Sequence, residues 1–213
     1  MPIEMKQIKK SYKDQRVLTN FSLLIEDGEK ICLMGESGIG KTTILRILAG
    51  LTKPDSGEIS GLQGKKVSMV FQEERLLEWA DAFENVALVL NQKRFGTGKK
   101  ARKTAIANFL LQEFHAVGLH GYEKKPVAQL SGGMRRRIAI VRALCAEGEI
   151  LLLDEPFTGL DATTKMRAAE YLKSRAEGRT VIMVTHDLQE AIQIGARVVM
   201  VENKKVVCAK ESN

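Results

Sequence analysis

The sequence predicts an α/β fold with a mainly parallel core sheet. Three observations carry this. Short apolar runs of strand character alternate along the chain with segments of helical spacing. Ile150-Leu151-Leu152-Leu153 is four apolar residues in a row, as expected of a strand buried on both faces. Eighteen glycines beside only 5% aromatic residues fit many tight turns rather than an aromatic-rich β-sandwich. A chain of 213 residues suits one domain, or one with a small subdomain. With 44% hydrophobic and 28% charged residues it matches the globular average, which argues against disorder.

Element by element, Ile3 to Lys9 and Val17 to Ile25 read as strands, and Lys30 to Met34 as a buried strand that stops at Gly35. Lys41 to Leu51 has helical spacing, with Ile44, Leu45, Leu48 and Leu51 on one side, and gives way to the turn-rich stretch Lys53 to Gly57. Val67 to Phe71 is another strand. From Asn85 to about Gly118 the pattern turns helical and more charged; Ile106, Phe109, Leu110 and Phe114 form an amphipathic stripe within Ala101 to Val117. Ser131 to Ala146 is a helix with Ile138, Val141, Leu144 and Cys145 inward. After Ile150–Leu153 come a helix over Thr163 to Ala176, a strand over Thr180 to Val184, a helix over Leu188 to Ile194, and a hairpin of Arg197 to Val201 with Lys204 to Ala209. The domain expectation is a single unit over residues 1–213, with a core of about 1–84 and 147–213 around a helical subdomain of about 85–146.

No apolar run approaches the ~20 residues of a membrane span, and Met1 to Lys6 offers no signal-peptide core, so the expected setting is intracellular. Cys32, Cys145 and Cys208 lie far apart, without metal or redox spacing, and each sits in an apolar stretch; buried thiols in a reducing compartment are expected. The net charge of +7 is compatible with nucleic acid, an anionic membrane surface, a phosphate ligand or simple solubility. It concentrates in Lys93 to Lys103 and in Arg135-Arg136-Arg137. The first segment fits anionic lipid headgroups and equally a solvated loop and helix start.

Gly35-Glu36-Ser37-Gly38-Ile39-Gly40-Lys41-Thr42 matches the phosphate-binding P-loop, followed by Thr43. Its glycines let successive N–H groups face phosphate oxygens, Lys41 supplies a point charge to the β/γ-phosphates, and the Thr42 hydroxyl can ligate Mg²⁺. The helix beginning at Lys41 turns its positive end to the same anion. The strand before the loop and the helix after it are the context the motif requires. Asp154-Glu155 ends an apolar strand; Asp154 is placed to hold Mg²⁺ through water and Glu155 to polarise a water against the γ-phosphate. Gln72 and His186 each follow a strand. With Lys41 and Asp154 they lie just past the C-terminal ends of inferred strands, the edge where parallel sheets bind ligands. Leu130-Ser131-Gly132-Gly133-Met134 precedes a helix; it reads as a plain cap turn or as a second anion site, one that would serve a phosphate held by another subunit.

These motifs in this order, with Gly159-Leu160-Asp161 before His186, resemble the ATP-binding subunit of an ABC transporter over nearly the whole chain. The resemblance implies a P-loop NTPase fold of the ABC type, with an N-terminal antiparallel β portion and a helical subdomain. It implies a head-to-tail homodimer holding two ATP molecules with Mg²⁺. Each ATP would lie between one P-loop and the other chain's Ser131, Gly132 and Gly133. Glu155 would be general base and His186 γ-phosphate sensor. Thr42, Gln72 and Asp154 would serve the metal, Asp161 the link across the dimer, and Tyr12 the adenine. It also implies two integral membrane permease subunits contacted near Arg75 to Trp79, an extracytoplasmic solute-binding protein, a place on the cytoplasmic face of the inner membrane, and no nucleic-acid partner. Met134, Phe71 to Trp79 and Asp154-Glu155-Pro156-Phe157 resemble the nitrate, sulfonate and taurine importer branch, although Glu78 departs from its usual proline. The alternatives are a soluble ABC ATPase of DNA or ribosomes, disfavoured by the 90 positions without sustained heptads between Lys41 and Ser131, and an exporter subunit. A small-molecule P-loop kinase would leave the Ser131–Gly133 loop unexplained.

Overall fold

The computed structural model describes residues 1–13, 15–202 and 205–208. Two sheets organise the chain. The smaller is antiparallel, in the order β2 (Gln15–Ile25), β1 (Ile3–Tyr12), β4 (Ser56–Ser60). The larger runs β5 (Val67–Val70), β6 (Ile150–Asp154), β7 (Thr180–Val184), β3 (Lys30–Met34), β8 (Arg197–Glu202), β9 (Lys205–Cys208). Its first five strands are parallel and β9 closes it antiparallel to β8. Lys204 and Ala209, the expected ends of that last arm, lie outside the described residues, as does the side chain of Cys208.

β6 is buried on both faces, as its sequence requires. Ile150 and Leu152 join one apolar layer with the small sheet and the helix α1 (Lys41–Leu48). Leu151 and Leu153 join the opposite layer with α2 (Ala82–Ala87), α3 (Lys99–Ala116), α4 (Gly132–Cys145), α5 (Ala162–Arg175) and α6 (Leu188–Ile194). Each such leucine contributes about 1.5–3 kcal/mol by leaving water. α2, α3 and the start of α4 form the helical subdomain. Within that shared apolar layer it also has a polar tie to α5: Glu113, 1% exposed, accepts from the Tyr171 hydroxyl at 2.5 Å and from Arg175. Cys32 and Cys145 are buried free thiols, and burial pushes both up to about 12, which keeps them protonated and inert.

Four expectations are corrected. α1 stops at Leu48, because Gly50 turns left-handed (φ 70°) and Leu51 N–H folds back to Arg46 O at 2.9 Å; Leu51 is therefore 56% exposed, not inward. Residues 53–57 do not stay a turn but run into the edge strand β4, whose half-exposed Ser-Gly-Glu-Ile-Ser has no apolar alternation and is held by pairing with β1. Helical structure begins at Ala82, not Asn85, through a reciprocal cap between Asp81 and Glu84; after Ala87 only a single 3-10 turn, Gln92–Phe95, precedes α3. The Arg135-Arg136-Arg137 run is not a surface charge patch. Arg136 is 2% exposed, and Arg137 donates to Gly133 O, Val117 O and Gly118 O. In the other basic segment Arg94 is spent on Glu147 and Arg102 on Gly96 O and Thr97 O.

Candidate functional site

The parallel strands β5, β6, β7 and β3 are neighbours, so the residues past their C-terminal ends meet. A cleft of about 550 Å³ opens there. It is lined by Lys41, Thr42 and Thr43 after β3, Gln72 after β5, Asp154 and Glu155 at β6, His186 after β7, and Tyr12. Gly35, Ser37, Gly38 and Gly40 form its loop wall.

The glycines are dictated by space as well as angle. Gly35 has φ 147°, and a Cβ there would stand 2.4 Å from Val201 O. Gly40 has φ 110°, and its Cβ would meet Val17 Cγ1 at 2.9 Å. Gly40 caps α1 without a side chain, leaving the first amides of the helix for a ligand. Lys41 Nζ donates to Gly35 O (2.7 Å) and Glu36 O (2.8 Å), which keeps a third N–H for the cleft. Burial lowers its pKa, opposed by the charges of Glu155 and Asp154. Glu36 and Ile39 do not line the cleft: Glu36 is exposed and Ile39 packs against the layer under the small sheet.

Thr42 Oγ1 donates to Asp154 Oδ1 at 3.2 Å, so hydroxyl and carboxylate face one point, with Gln72 on the same cleft. No cluster of three or more His, Cys, Asp or Glu able to hold a metal exists among the described residues. This donor set suits Mg²⁺, which keeps several waters and takes one or two protein oxygens beside substrate phosphates. Asp154 is 2% exposed, and burial raises its pKa, partly offset by the Thr42 hydrogen bond. A carboxyl whose folded pKa lies above its unfolded one loses stability as pH rises through that window, so its ionised form burdens the fold at neutral pH. Asp154→Asn should therefore raise the melting temperature without ligand, which calorimetry checks.

Glu155 adopts φ 49°, a left-handed backbone unusual for glutamate. Its N–H donates to Val184 O at 2.9 Å, and its Oε2 accepts from Thr158 Oγ1 at 3.1 Å and faces His186 Nδ1 at 3.1 Å. The carboxylate is thus aimed by two neighbours, Thr158 and His186, while the bond to Val184 O fixes the backbone. Tyr12 stands at the rim, 41% exposed, with Lys10 Nζ 5.5 Å from its ring centre. Gln15 and Val17 also line the cleft and were not anticipated. No sequence pattern marks them; Gln15 reaches the cleft because it pairs with Tyr12 across the β1–β2 hairpin.

Ser131, Gly132, Gly133 and Asp161 do not line this cleft. Ser131 caps α4, its Oγ accepting from Met134 N at 3.3 Å. Asp161 caps α5, accepting from Thr164 N at 3.0 Å, and the Thr164 side chain, with that backbone bond second, holds its carboxyl below the usual range. The two caps lie side by side: a Cβ on Gly133 would touch Leu160 Cδ2 at 3.3 Å and Gly159 O at 3.5 Å.

Residues 18–158 match the family model described as ABC transporter. The chain is 39% identical over 209 residues to the spermidine/putrescine import ATP-binding protein PotA of Mycoplasma mycoides, covering 93% of this chain and 58% of that one. It is 39% identical over 201 residues to the aliphatic sulfonates import ATP-binding protein SsuB 1 of Rhodococcus jostii, covering 92% and 77%. The chain thus spans little more than half the length of the polyamine relative. Among solved structures, the dimeric post-hydrolysis state of the ATP-binding cassette MJ0796 bound to ADP and Pi superposes with a TM-score of 0.81 at 32% identity, over 96% of both chains.

Proposed function

The chain belongs to the ABC transporter family, and on that premise we propose that it is the ATP-hydrolysing, energy-coupling subunit of an importer, working as a head-to-tail homodimer. One observation carries the reading. The chain has a cleft equipped for nucleotide and Mg²⁺, and a separate cap at Ser131–Gly133 that does not line that cleft. A second copy turned head to tail would bring the cap to the nucleotide. That the solved neighbour is dimeric and bound to ADP and Pi supports a dimer.

In the proposed reaction Lys41 and the loop amides hold the phosphates, and Tyr12 stacks on adenine. Thr42, Asp154 and Gln72 hold Mg²⁺, which when bound supplies positive charge to the transferring phosphoryl group. Glu155 takes the proton of the attacking water, and His186 touches the γ-phosphate while orienting Glu155. The partner's Ser131–Gly133 loop adds amides and a helix N-terminus, so most of the acceleration comes from positioning and charge.

The permease contact is proposed on the segment after Gln72. Trp79 is 83% exposed and Leu88 66%, flanking a groove with Leu77, Ala80 and Ala87. No helix among the described residues is long and apolar enough to cross a membrane. Two permease subunits and a solute-binding protein would complete the system, at the cytoplasmic face of the inner membrane. For the cargo we favour a small anion of the nitrate, sulfonate or taurine kind. The sulfonate relative is matched along more of its own length than the polyamine relative at the same identity. The test is to identify what co-purifies with the chain from gently solubilised native membranes. A stoichiometric multi-span protein is expected; DNA or ribosomes in its place would overturn the reading.

A further inference from the structure

Arg136 occupies the second turn of α4, directly behind the cleft, and is 2% exposed. Its guanidinium has five N–H donors, and each meets a backbone carbonyl. Nε donates to Pro156 O at 2.9 Å. Nη1 donates to Phe71 O and to Gln72 O at 3.1 Å. Nη2 donates to Asp154 O at 2.8 Å and to Glu155 O. Among the described residues no carboxylate hydrogen-bonds the guanidinium; peptide carbonyls take all five donors, with the charges of Glu74, Asp154 and Glu155 nearby. Two turns further along α4, Arg142 donates to Glu74 O and Arg75 O, both at 2.8 Å. One helix therefore grips the backbone of residues 71, 72, 74 and 75, past the end of β5, and of residues 154–156, at the end of β6.

These backbone positions carry Gln72, Asp154 and Glu155. Glu155 is the one in the left-handed conformation, and Arg136 holds the carbonyl that this conformation turns inward. Charge-assisted bonds to a planar fork are directional, so the five carbonyls and the helix shift together or not at all. The same helix begins at the Ser131 cap.

We propose that Arg136 is a positioning residue that couples the two nucleotide sites of the dimer: seating of Ser131–Gly133 on a partner's nucleotide moves α4, and Arg136 passes that movement to Gln72 and Glu155 of its own chain. The proposal rests on the dimeric ATPase reading above. It assigns to the Arg135–Arg137 run a role inside the molecule, in place of contact with an anionic partner.

The test compares wild type with Arg136→Lys, which keeps the charge but cannot span five acceptors, and Arg136→Gln, which is neutral and leaves no unpaired charge. Three quantities are read: the ATP dissociation constant, the rate against ATP concentration, and amide hydrogen exchange without nucleotide. At least one variant should melt cooperatively and bind ATP within about threefold of wild type. Its kcat should fall tenfold or more with KM nearly unchanged, and its Hill coefficient should drop from above 1 towards 1. Amides in 72–76 and 155–158 should exchange at least tenfold faster, with β1 and β2 unchanged. Wild-type kcat and local exchange would overturn the proposal. So would faster exchange throughout, or failure of both variants to fold, since either makes Arg136 only a support of the core. A wild-type chain that hydrolyses no ATP would instead defeat the ATPase reading, and the exchange comparison would still decide whether Arg136 holds the two segments.

Discussion

Glu155→Gln should bind Mg²⁺ and ATP as wild type does, lose turnover by roughly 10²-fold or more, and accumulate as a dimer whenever ATP is present. Glutamine keeps the shape of the side chain and can still receive the Thr158 hydroxyl that glutamate accepts at 3.1 Å. It cannot take a proton from water. Its neutral amide also removes one carboxylate from beside Lys41, whose pKa the Glu155 charge supports, so phosphate binding meets less negative charge. Phosphate release in steady state measures the first effect, and size-exclusion chromatography with and without ATP the second. Hydrolysis at the wild-type rate would remove Glu155 as the base.

Ser131→Arg should abolish ATP-dependent dimerisation while leaving nucleotide binding by the monomer within about threefold of wild type. Ser131 is outside the cleft, so the cis site keeps all its lining. The substitution removes the Oγ that accepts from Met134 N, a cap worth about 0.5–2 kcal/mol. It also sets a long cation at the positive end of α4, against the face a partner must approach. Equilibrium binding of a fluorescent ATP analogue and light scattering separate the two effects. Dimers persisting at the same ATP concentration would show that this loop is not part of the interface.

Much of the site could be read because its chemistry is local. The P-loop needs glycine at fixed spacings, since a Cβ on Gly35 or Gly40 would strike Val201 or Val17, and such steric demands leave a contiguous pattern in the chain. Asp154 and Glu155 were marked by the apolar strand that ends on them, and Ser131 by its place before a helix. Gln15 and Val17 left no such mark: they reach the cleft only because β2 folds back on β1. β4 was missed for a related reason, since an edge strand takes its stability from its neighbour rather than from its own pattern. Leu51 looked inward by periodicity and is exposed because Gly50 ends the helix one residue earlier.

Arg136 marks the boundary between the two kinds of information. The sequence alone determined an α/β chain with a P-loop, a carboxylate pair at a strand end and a capped Gly-Gly turn, because each depends on residues adjacent in the chain. Only the tertiary structure decided which basic residues are surface charge and which are buried ties. It also decided that the cleft and the Ser131–Gly133 cap lie apart on one chain. The physical reason is that a guanidinium's role depends on what surrounds it. Arg136 finds five carbonyls from segments 18 to 65 residues away, and no pattern local to Arg135-Arg136-Arg137 encodes that meeting.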